Sequence, residues 1–222
     1  MKVGIIGTGN VGGALAKSLT AAGHSVTLAA RDAAKAQSVA TATGAASGTI
    51  AQAAAADVVI LAIPYPSLEA VGREVAAANP GAVLVDATNP GKPDWSGLAT
   101  AGGPSAAEQL AAVVPGSVVV KAFNTLFASV SADPSTHGEE VDGLYATDDD
   151  AAATKVATLI ASIGLRPVRV GGLIAARELE ALAWLNITLQ MRTGGDWRSA
   201  YRLVGAPLAA VGIPVAPVAV AA

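Results

Sequence analysis

The chain has 222 residues, of which 52% are hydrophobic and 14% are charged, with a net charge of −3 and no cysteine. This composition supports a sizeable core, and the lack of a basic run argues against nucleic-acid binding. The absence of cysteine excludes disulfides, thiol nucleophiles and cysteine-ligated metals. Because an apolar run begins at the third residue, we expect no signal peptide; with no membrane span either, a cytoplasmic location follows.

The opening stretch predicts a dinucleotide site. Residues 3–6 are an apolar run typical of a buried strand, and residues 11–22 follow a helical pattern. Between them lies a G-x-G-x-x-G motif in the strand–turn–helix context that makes it informative. The motif consists of Gly7, Thr8, Gly9, Asn10, Val11 and Gly12. Gly7 would permit the turn, Gly9 the approach of a pyrophosphate and Gly12 the close packing of helix and strand.

The residue that follows the second predicted strand, 25–30, determines which dinucleotide binds. Here Arg31 comes directly after two small alanines, the second of which is Ala30. An acidic residue at this position binds the ribose of NAD, whereas an arginine accommodates the 2′-phosphate of NADP. Thr8 could add a hydroxyl to the same phosphate. We therefore predict NADP over NAD, with Asp32 capping the next helix and pointing away.

Apolar runs and helical patterns alternate along the rest of the chain, which predicts an α/β fold with a doubly wound, mostly parallel sheet of Rossmann type. Further strands are predicted at 45–48, 57–63, 82–86, 117–122, 143–147 and 166–170. Helices are predicted at 33–42, 50–56, 68–78, 104–113, 151–163 and 174–191. Ser67 is expected to cap the helix that follows it, 131–141 to form a polar loop or lid, and 196–204 a short amphipathic piece.

Three predicted loops lie at the carboxyl ends of strands, where open α/β sheets bind their ligands. Their candidate residues are Ile63, Pro64, Tyr65, Asn89, Asn124 and Thr125. The first loop either lies against the nicotinamide as an apolar slab or is a rigid connection with a half-buried tyrosine. Asn89 could bond a ribose or a carboxamide. The Asn-Thr pair either forms a wall of the substrate site or satisfies local backbone.

We predict no catalytic side chain and no metal site. Neither histidine falls near these loops with an obvious partner, and the three aspartates at 148–150 are better explained as the cap of a helix. The candidate residues are poorly suited to acid–base chemistry but well suited to holding two flat cofactors face to face. Direct hydride transfer between such rings needs closeness and orientation more than a proton shuttle.

The predicted C-terminal helix, 174–191, has apolar residues around much of its circumference. A helix of this kind is expected to be buried on several sides, against its own domain and against a second subunit. We therefore predict a homodimer that associates through this helix. The predicted domain organisation is a dinucleotide-binding domain over 1–170, a small C-terminal helical part over 171–205 and an apolar, proline-containing tail over 206–222.

Several segments together resemble the family of oxidoreductases that act on NADP and the deazaflavin coenzyme F-420 (F420 in protein names). They also resemble the reductase domain of the STEAP metalloreductases. The matching segments are 7–12, 63–65, 105–108, 121–125 and 171–173 with Arg177. The resemblance extends from residue 2 to about residue 205 and is specific for the superfamily rather than for the electron acceptor.

The resemblance implies that NADP(H) lies on the glycine turn, with its 2′-phosphate near Thr8, Ala30 and Arg31. Coenzyme F-420 would stack over the nicotinamide near Pro64, Asn124 and the start of the C-terminal helix. Asn124 stands where archaeal members have a histidine, and it is closer to the metalloreductase version. The alternatives are therefore FMN or FAD, or an imine or carbonyl, as the acceptor, and, in another class, a non-catalytic NADP(H) sensor.

Overall fold

The structure is a computed structural model and describes residues 1–205 of the chain. The predicted tail, 206–222, lies outside these residues. The strands are β1 (Lys2–Ile6), β2 (Ser25–Ala29), β3 (Ala46–Ser47), β4 (Val58–Leu61), β5 (Val83–Asp86), β6 (Val118–Ala122), β7 (Asp142–Ala146) and β8 (Arg166–Gly171). The helices are α1 (Asn10–Ala21), α2 (Ala33–Thr43), α3 (Ile50–Ala54), α4 (Leu68–Ala78), α5 (Ala106–Val113), α6 (Ala128–Ala132), α7 (Asp150–Ser162) and α8 (Ala176–Thr193).

The strands of the described part form one sheet in the order β3-β2-β1-β4-β5-β6-β7-β8. All pairs are parallel except β6 with β7. Because the chain crosses from β3 back to β4, which pairs with β1, the topological switch point lies between β1 and β4. The doubly wound, mostly parallel sheet that the sequence predicts is therefore confirmed.

Apolar side chains cover both faces of the sheet, as a doubly wound fold requires. On one face Leu15 of α1 and Val156 of α7 pack with the sheet residue Val120. On the other face Leu110 of α5 packs with Leu84 of β5, together with residues of α3 and α4. β4 is buried along its whole length, which is why its sequence is a continuous apolar run. Every helix within residues 1–205 is too short or too polar to cross a membrane.

One local prediction is wrong. Residues Tyr65–Ser67 form a 3₁₀ turn, so Ser67 enters α4 with helical backbone angles and its side chain makes no capping bond within residues 1–205. The polar loop or lid predicted at 131–141 begins inside α6, where the carbonyl of Ser131 accepts a 2.6 Å hydrogen bond from the Ser18 hydroxyl of α1. Gly138, Glu139 and Glu140 are exposed, as expected of a polar loop, and a lid role stays a prediction.

The inner face of α8 is partly polar. It carries Glu180, Asn186 and Gln190 beside Leu179 and Ala183, while Leu185 and Leu189 are 59% and 52% exposed. The helix is buried on one side in the single chain, and its predicted burial against a second subunit stays a prediction.

The predicted amphipathic piece at 196–204 is not a helix. It runs along the sheet edge, where the Tyr201 carbonyl accepts a 3.0 Å bond from the Asp142 backbone N–H of β7. The Tyr201 hydroxyl donates to the Leu182 carbonyl of α8 at 2.7 Å. These bonds fix the segment between β7 and α8.

Candidate dinucleotide site

The glycine turn connects β1 to α1, and its three motif glycines have different surroundings. Gly7 has a φ of +120°, and a Cβ there would lie 2.1 Å from the Ala62 carbonyl oxygen. A Cβ on Gly12 would lie 2.1 Å from the Gly7 carbonyl oxygen. Gly9 has open space, with no heavy atom within 4 Å of its Cβ position. The turn thus requires two glycines for its own geometry and leaves the third facing an empty approach.

The first cavity, which we call the turn cavity, has a volume of about 870 Å³ and lies over the glycine turn and the ends of β2 and β4. It brings together seven of the predicted residues. They are Gly7, Thr8, Gly9, Ala30, Arg31, Ile63 and Pro64. Residues from three separate parts of the sequence therefore meet at the switch point of the sheet, where ligands of this fold bind.

Beyond the end of β2, the turn cavity is lined by two cations, Arg31 and Lys35. Neither makes an ion pair with any residue of 1–205. Asp32 caps α2, its carboxylate accepting a 2.9 Å bond from the Lys35 backbone N–H, as the sequence predicts. The residue also lines the cavity, and the direction of its carboxylate relative to a bound phosphate stays a prediction. Lys35 was not among the residues predicted from the sequence, although it lies in the first turn of the helix that follows Arg31.

The second cavity, which we call the edge cavity, has a volume of about 410 Å³ and lies between the start of α1, the loops after β5 and β6, and α8. The predicted residues that line it are Asn10, Val11, Asn89, Asn124 and Thr125. No lining residue among those described carries an ionisable side chain. Since Asn10 and Val11 directly follow the turn that lines the first cavity, the two cavities flank the first turn of α1.

Asn89 and Asn124 hold each other across the edge cavity. The Asn89 amide donates to the Asn124 carbonyl at 2.9 Å, and the Asn124 amide donates to the Asn89 side-chain oxygen at 3.1 Å and to the Leu179 carbonyl of α8 at 3.0 Å. The Oδ1 of Asn124 and the Oγ1 of Thr125 are buried without a partner in the described residues. Asn124 thus satisfies local groups with its amide and leaves an acceptor over for a ligand, as does the Thr125 hydroxyl.

The backbone just before this pair adopts an unusual conformation. Phe123 is 1% exposed and has a φ of +64°, in the left-handed region that a bulky side chain seldom enters. Such a conformation persists only where the surrounding packing enforces it, and it is concentrated at functional sites. Here it turns the chain at the end of β6, so that the two residues after it line the edge cavity.

The structure places Tyr65 outside both cavities. Its hydroxyl donates to the Gln109 side-chain oxygen of α5 at 2.8 Å, and its ring lines a shallow depression with Glu69 and Arg73. The geometry therefore contradicts the predicted contact between Tyr65 and the nicotinamide, and the apolar surface at the end of β4 consists of Ile63 and Pro64.

A buried ionic network that was not predicted from the sequence lies behind the loops of the edge cavity. The Lys121 ammonium of β6 is fully buried and donates to Asp86 at 2.8 Å, to Glu180 at 2.9 Å and to the Thr88 carbonyl at 2.7 Å. Glu180 also accepts from the first backbone N–H of α5, Ala106, at 2.8 Å. The available signal was a lysine within the apolar run of a central strand.

The network binds four elements together: β5, β6, α8 and the N-terminus of α5. Burial raises the pKa of the Glu180 carboxyl, and the adjacent Lys121 ammonium only partly offsets this rise. With two carboxylates around one ammonium, the cluster has one surplus negative charge when all three are ionised. The positive end of α5 lies against that surplus and stabilises it.

The segment 105–108 and Arg177 form a second connection between α5 and α8. Ser105 and Glu108 form a reciprocal capping box at the start of α5. The Arg177 guanidinium donates two hydrogen bonds to Glu108, at 2.8 and 2.7 Å, and holds the pKa of this carboxyl at about 2. These residues fix helix positions and line neither cavity.

The remaining titratable candidates have structural partners. The His24 ring bonds the Ser162 hydroxyl at 2.9 Å, on the outside of the molecule. Asp149 caps α7 by accepting from the Ala152 backbone N–H at 2.7 Å, and Asp150 pairs with Arg169. Within residues 1–205 no group of three or more histidine, aspartate or glutamate side chains could hold a metal ion.

The class of the protein is that of Rossmann-type dinucleotide-binding proteins. It is defined by the topology of the sheet, the glycine turn and the cavities at the switch point. Comparisons with known proteins identify the family. The model of the family described as "NADP oxidoreductase coenzyme F420-dependent" matches residues 2–90. The F420-dependent NADP reductase of Methanothermobacter marburgensis is 34% identical over 212 residues, covering 86% of this chain and 93% of that protein. The chain belongs to the F420-dependent NADP reductase family, a family of NADP-dependent oxidoreductases.

Two further similarities extend this result. A solved structure from Arthrobacter sp. FB24, assigned as an F420-dependent NADP-reductase, is 28% identical, with a TM-score of 0.81 and coverage of 92% of this chain and 99% of that one. Metalloreductase STEAP3 of Rattus norvegicus is 29% identical over 185 residues, covering 82% of this chain, which spans 36% of STEAP3. The predicted family, fold class and enzyme class are thereby confirmed.

Proposed function

We propose that this protein transfers a hydride between NADP(H) and coenzyme F-420, held face to face at the edge of the sheet. One observation supports this most strongly: a cavity that carries the cations Arg31 and Lys35 adjoins a cavity where no lining residue of the described chain is ionisable. The first suits a phosphorylated dinucleotide. The second suits a reaction in which no protein group has to give or take a proton.

The dinucleotide would lie along the turn cavity. Its pyrophosphate would approach Gly9, where the open space and the free N–H groups at the start of α1 are available. Arg31 and Lys35, which have no carboxylate partner within residues 1–205, would hold the 2′-phosphate together with Thr8. Pro64 would support the dinucleotide from the end of β4.

The acceptor ring would occupy the edge cavity, whose apolar lining includes Ala183 and Ile187 of α8. The unpartnered oxygens of Asn124 and Thr125 offer hydrogen bonds to a nicotinamide carboxamide or to a polar ring edge. When bound, NADPH would supply the hydride, and the acceptor would take it up with a proton from water. The role of the protein is then to orient both rings and to exclude side reactions.

A flavin is the second candidate acceptor, because Asn124 replaces the histidine that archaeal members have at this position. An imine or carbonyl is a weaker candidate, since its reduction gains from a proton donor at the reacting atom. The described lining of the edge cavity contains no such donor.

The test is to mix the protein with NADPH and follow nicotinamide oxidation in the presence of F-420 or, separately, FMN. We expect turnover with F-420 and little or none with FMN. Turnover with FMN alone would replace the proposed acceptor by a flavin. Tight NADPH binding without turnover with either acceptor would contradict the enzyme and favour an NADP(H) sensor.

We also propose that the protein is a homodimer associating through α8. Leu185 and Leu189, one helical turn apart, form an exposed apolar surface on this helix, the kind of surface that marks an interface. Light scattering of the native protein should give twice the chain mass, and Leu185→Glu with Leu189→Glu should halve it. Val170→Glu, at an exposed apolar residue of β8, is the matched control. A native mass equal to one chain would refute this proposal.

A further inference from the structure

A third cavity opens beside the edge cavity and is walled by two tryptophans. We call it the tryptophan cavity; it has a volume of about 300 Å³, and its walls include Lys92, Trp95 and Trp184. It shares Asn89 and Ile187 with the edge cavity. A ligand whose ring occupies the edge cavity could therefore extend a side chain into the tryptophan cavity without leaving the protein surface.

The two indoles are stacked, with ring centroids 6.0 Å apart and planes inclined by 15°. Although Trp95 packs on its partner, it is 55% exposed, and its φ of +58° lies in the left-handed region that is costly for a bulky residue. Gly91 permits the arrangement, because a Cβ there would lie 3.1 Å from the Trp184 ring. A strained residue that holds a large apolar face towards solvent is typical of a ligand clamp.

The charge of the tryptophan cavity has one sign. Lys92 is its only charged lining residue in the described part of the chain, and it forms no salt bridge with any residue of 1–205. Asp94 lies close enough for this ammonium to contribute to the lowered pKa of its carboxyl, but Asp94 does not line the cavity. An ammonium without a salt bridge beside a flat apolar face matches a chain that carries one anionic group. A neutral substrate would leave the ammonium unused.

We propose that the tryptophan cavity binds the phosphorylated side chain of the electron acceptor, with the chain lying across the Trp95 indole and its phosphate paired with Lys92. This inference rests on the proposed function and specifies its substrate class. The acceptor is a flat tricyclic ring with a phosphorylated polyol chain, a chemistry that F-420 and FMN share. It is not a neutral imine or carbonyl.

The test measures equilibrium binding in the presence of NADP⁺, by calorimetry and by quenching of tryptophan fluorescence. Two matched pairs of probes differ in the phosphate-bearing part of the chain: F-420 with its phosphate-free deazariboflavin, and FMN with riboflavin. In at least one pair the phosphorylated member should bind about 2- to 5-fold more tightly, as expected for an exposed charge pair. The pair that shows the difference identifies the source of the acceptor.

Lys92→Gln should abolish this ratio, whereas Lys155→Gln, which removes an exposed lysine from α7, should leave it unchanged. Trp95→Ala should weaken both members of the pair by about 2- to 10-fold, the range of an aromatic contact, and Trp95→Phe should restore most of the affinity. NADPH affinity should be unaffected in all of these variants.

Binding that depends on Lys92 and on the phosphate supports the inference even if no hydride is transferred, so its outcome is separable from that of the proposed function. Four results would overturn it. They are the absence of binding, equal affinity for both members of each pair, a ratio that survives Lys92→Gln, and a change of oligomeric state in Trp95→Ala without a change of affinity. The last would mean that a second copy of the chain covers the tryptophans.

Discussion

Discrimination between NADPH and NADH should reside in Arg31 and Lys35. Both residues line the turn cavity and have no ion-pair partner within residues 1–205, so replacing either removes no salt bridge from the protein itself. A loss of affinity can then be assigned to the ligand. A hydrogen bond to a charged group contributes about 1.5–3 kcal/mol, which corresponds to a change of about 10- to 150-fold in Kd.

Arg31→Ala should therefore weaken NADPH binding by at least about tenfold, near the lower end of that range because the side chain is exposed. Lys35→Gln should have a smaller effect, since an ammonium makes no bidentate contact with a phosphate. NADH, which lacks the 2′-phosphate, should lose little in either variant. The discrimination of the native protein should also fall as the salt concentration rises.

Asp32→Asn provides the opposite perturbation. Asparagine caps a helix about as well as aspartate, so α2 should remain intact while a negative charge leaves the cavity. NADPH affinity should rise and NADH affinity should stay constant. Titrations of both cofactors against the three variants, at low and high salt, measure all of these effects. Equal losses for NADPH and NADH in Arg31→Ala would refute the assignment of the 2′-phosphate to this end of the cavity.

Three other perturbations have clear expected outcomes. Gly9→Val should abolish dinucleotide binding without lowering the thermal unfolding temperature, because the new side chain enters open space and the φ of −74° suits valine. The control Gly13→Ala should retain binding. A Gly9→Val protein that still binds NADPH would contradict the site. Lys121→Met should lower the free energy of unfolding by about 3–5 kcal/mol in urea titrations, because it leaves two buried carboxylates without their cation. The control Lys155→Met should change this free energy by less than about 0.5 kcal/mol. The folded-state pKa of Glu108 lies below its ordinary 4.5, so the ion pair with Arg177 stabilises the fold above pH 4.5 and is lost towards pH 2. The difference in unfolding free energy between the native protein and Arg177→Gln should therefore shrink over this pH window. A constant difference in acid denaturation would show that the pair does not contribute.

The features that the sequence predicted well are set by neighbouring residues. The glycine turn follows from backbone sterics within a few residues, and Asp32 and Asp149 cap the helices that they precede. The order of elements then fixes the sheet, because parallel strands joined by helices have few alternative topologies. For these reasons the fold and the location of the turn cavity were accessible without coordinates.

The errors come from interactions between distant residues. The direction of Tyr65 is set by Gln109, which lies 44 residues away, and nothing within the loop itself indicates that partner. The polar inner face of α8 depends on Lys121, which lies 59 residues before Glu180. A helix assigned by periodicity alone is expected to bury its apolar residues. The periodicity therefore does not indicate that a buried ionic network places polar residues on the inner face of α8.

The same network explains why the edge cavity lacks ionisable groups. Lys121 immediately precedes the turn that carries Asn124, and its ammonium donates to the carbonyl of Thr88, the residue before Asn89. The charges of this region are thus paired behind the two loops and not inside the cavity. Their bonds join β5, β6 and α8 into one unit. The loops after β5 and β6 form two walls of the cavity, and α8 forms a third. Hydride transfer between two rings depends on their separation and orientation. A buried ionic cluster that holds these walls therefore contributes to the reaction we propose by positioning, although none of its side chains faces the rings.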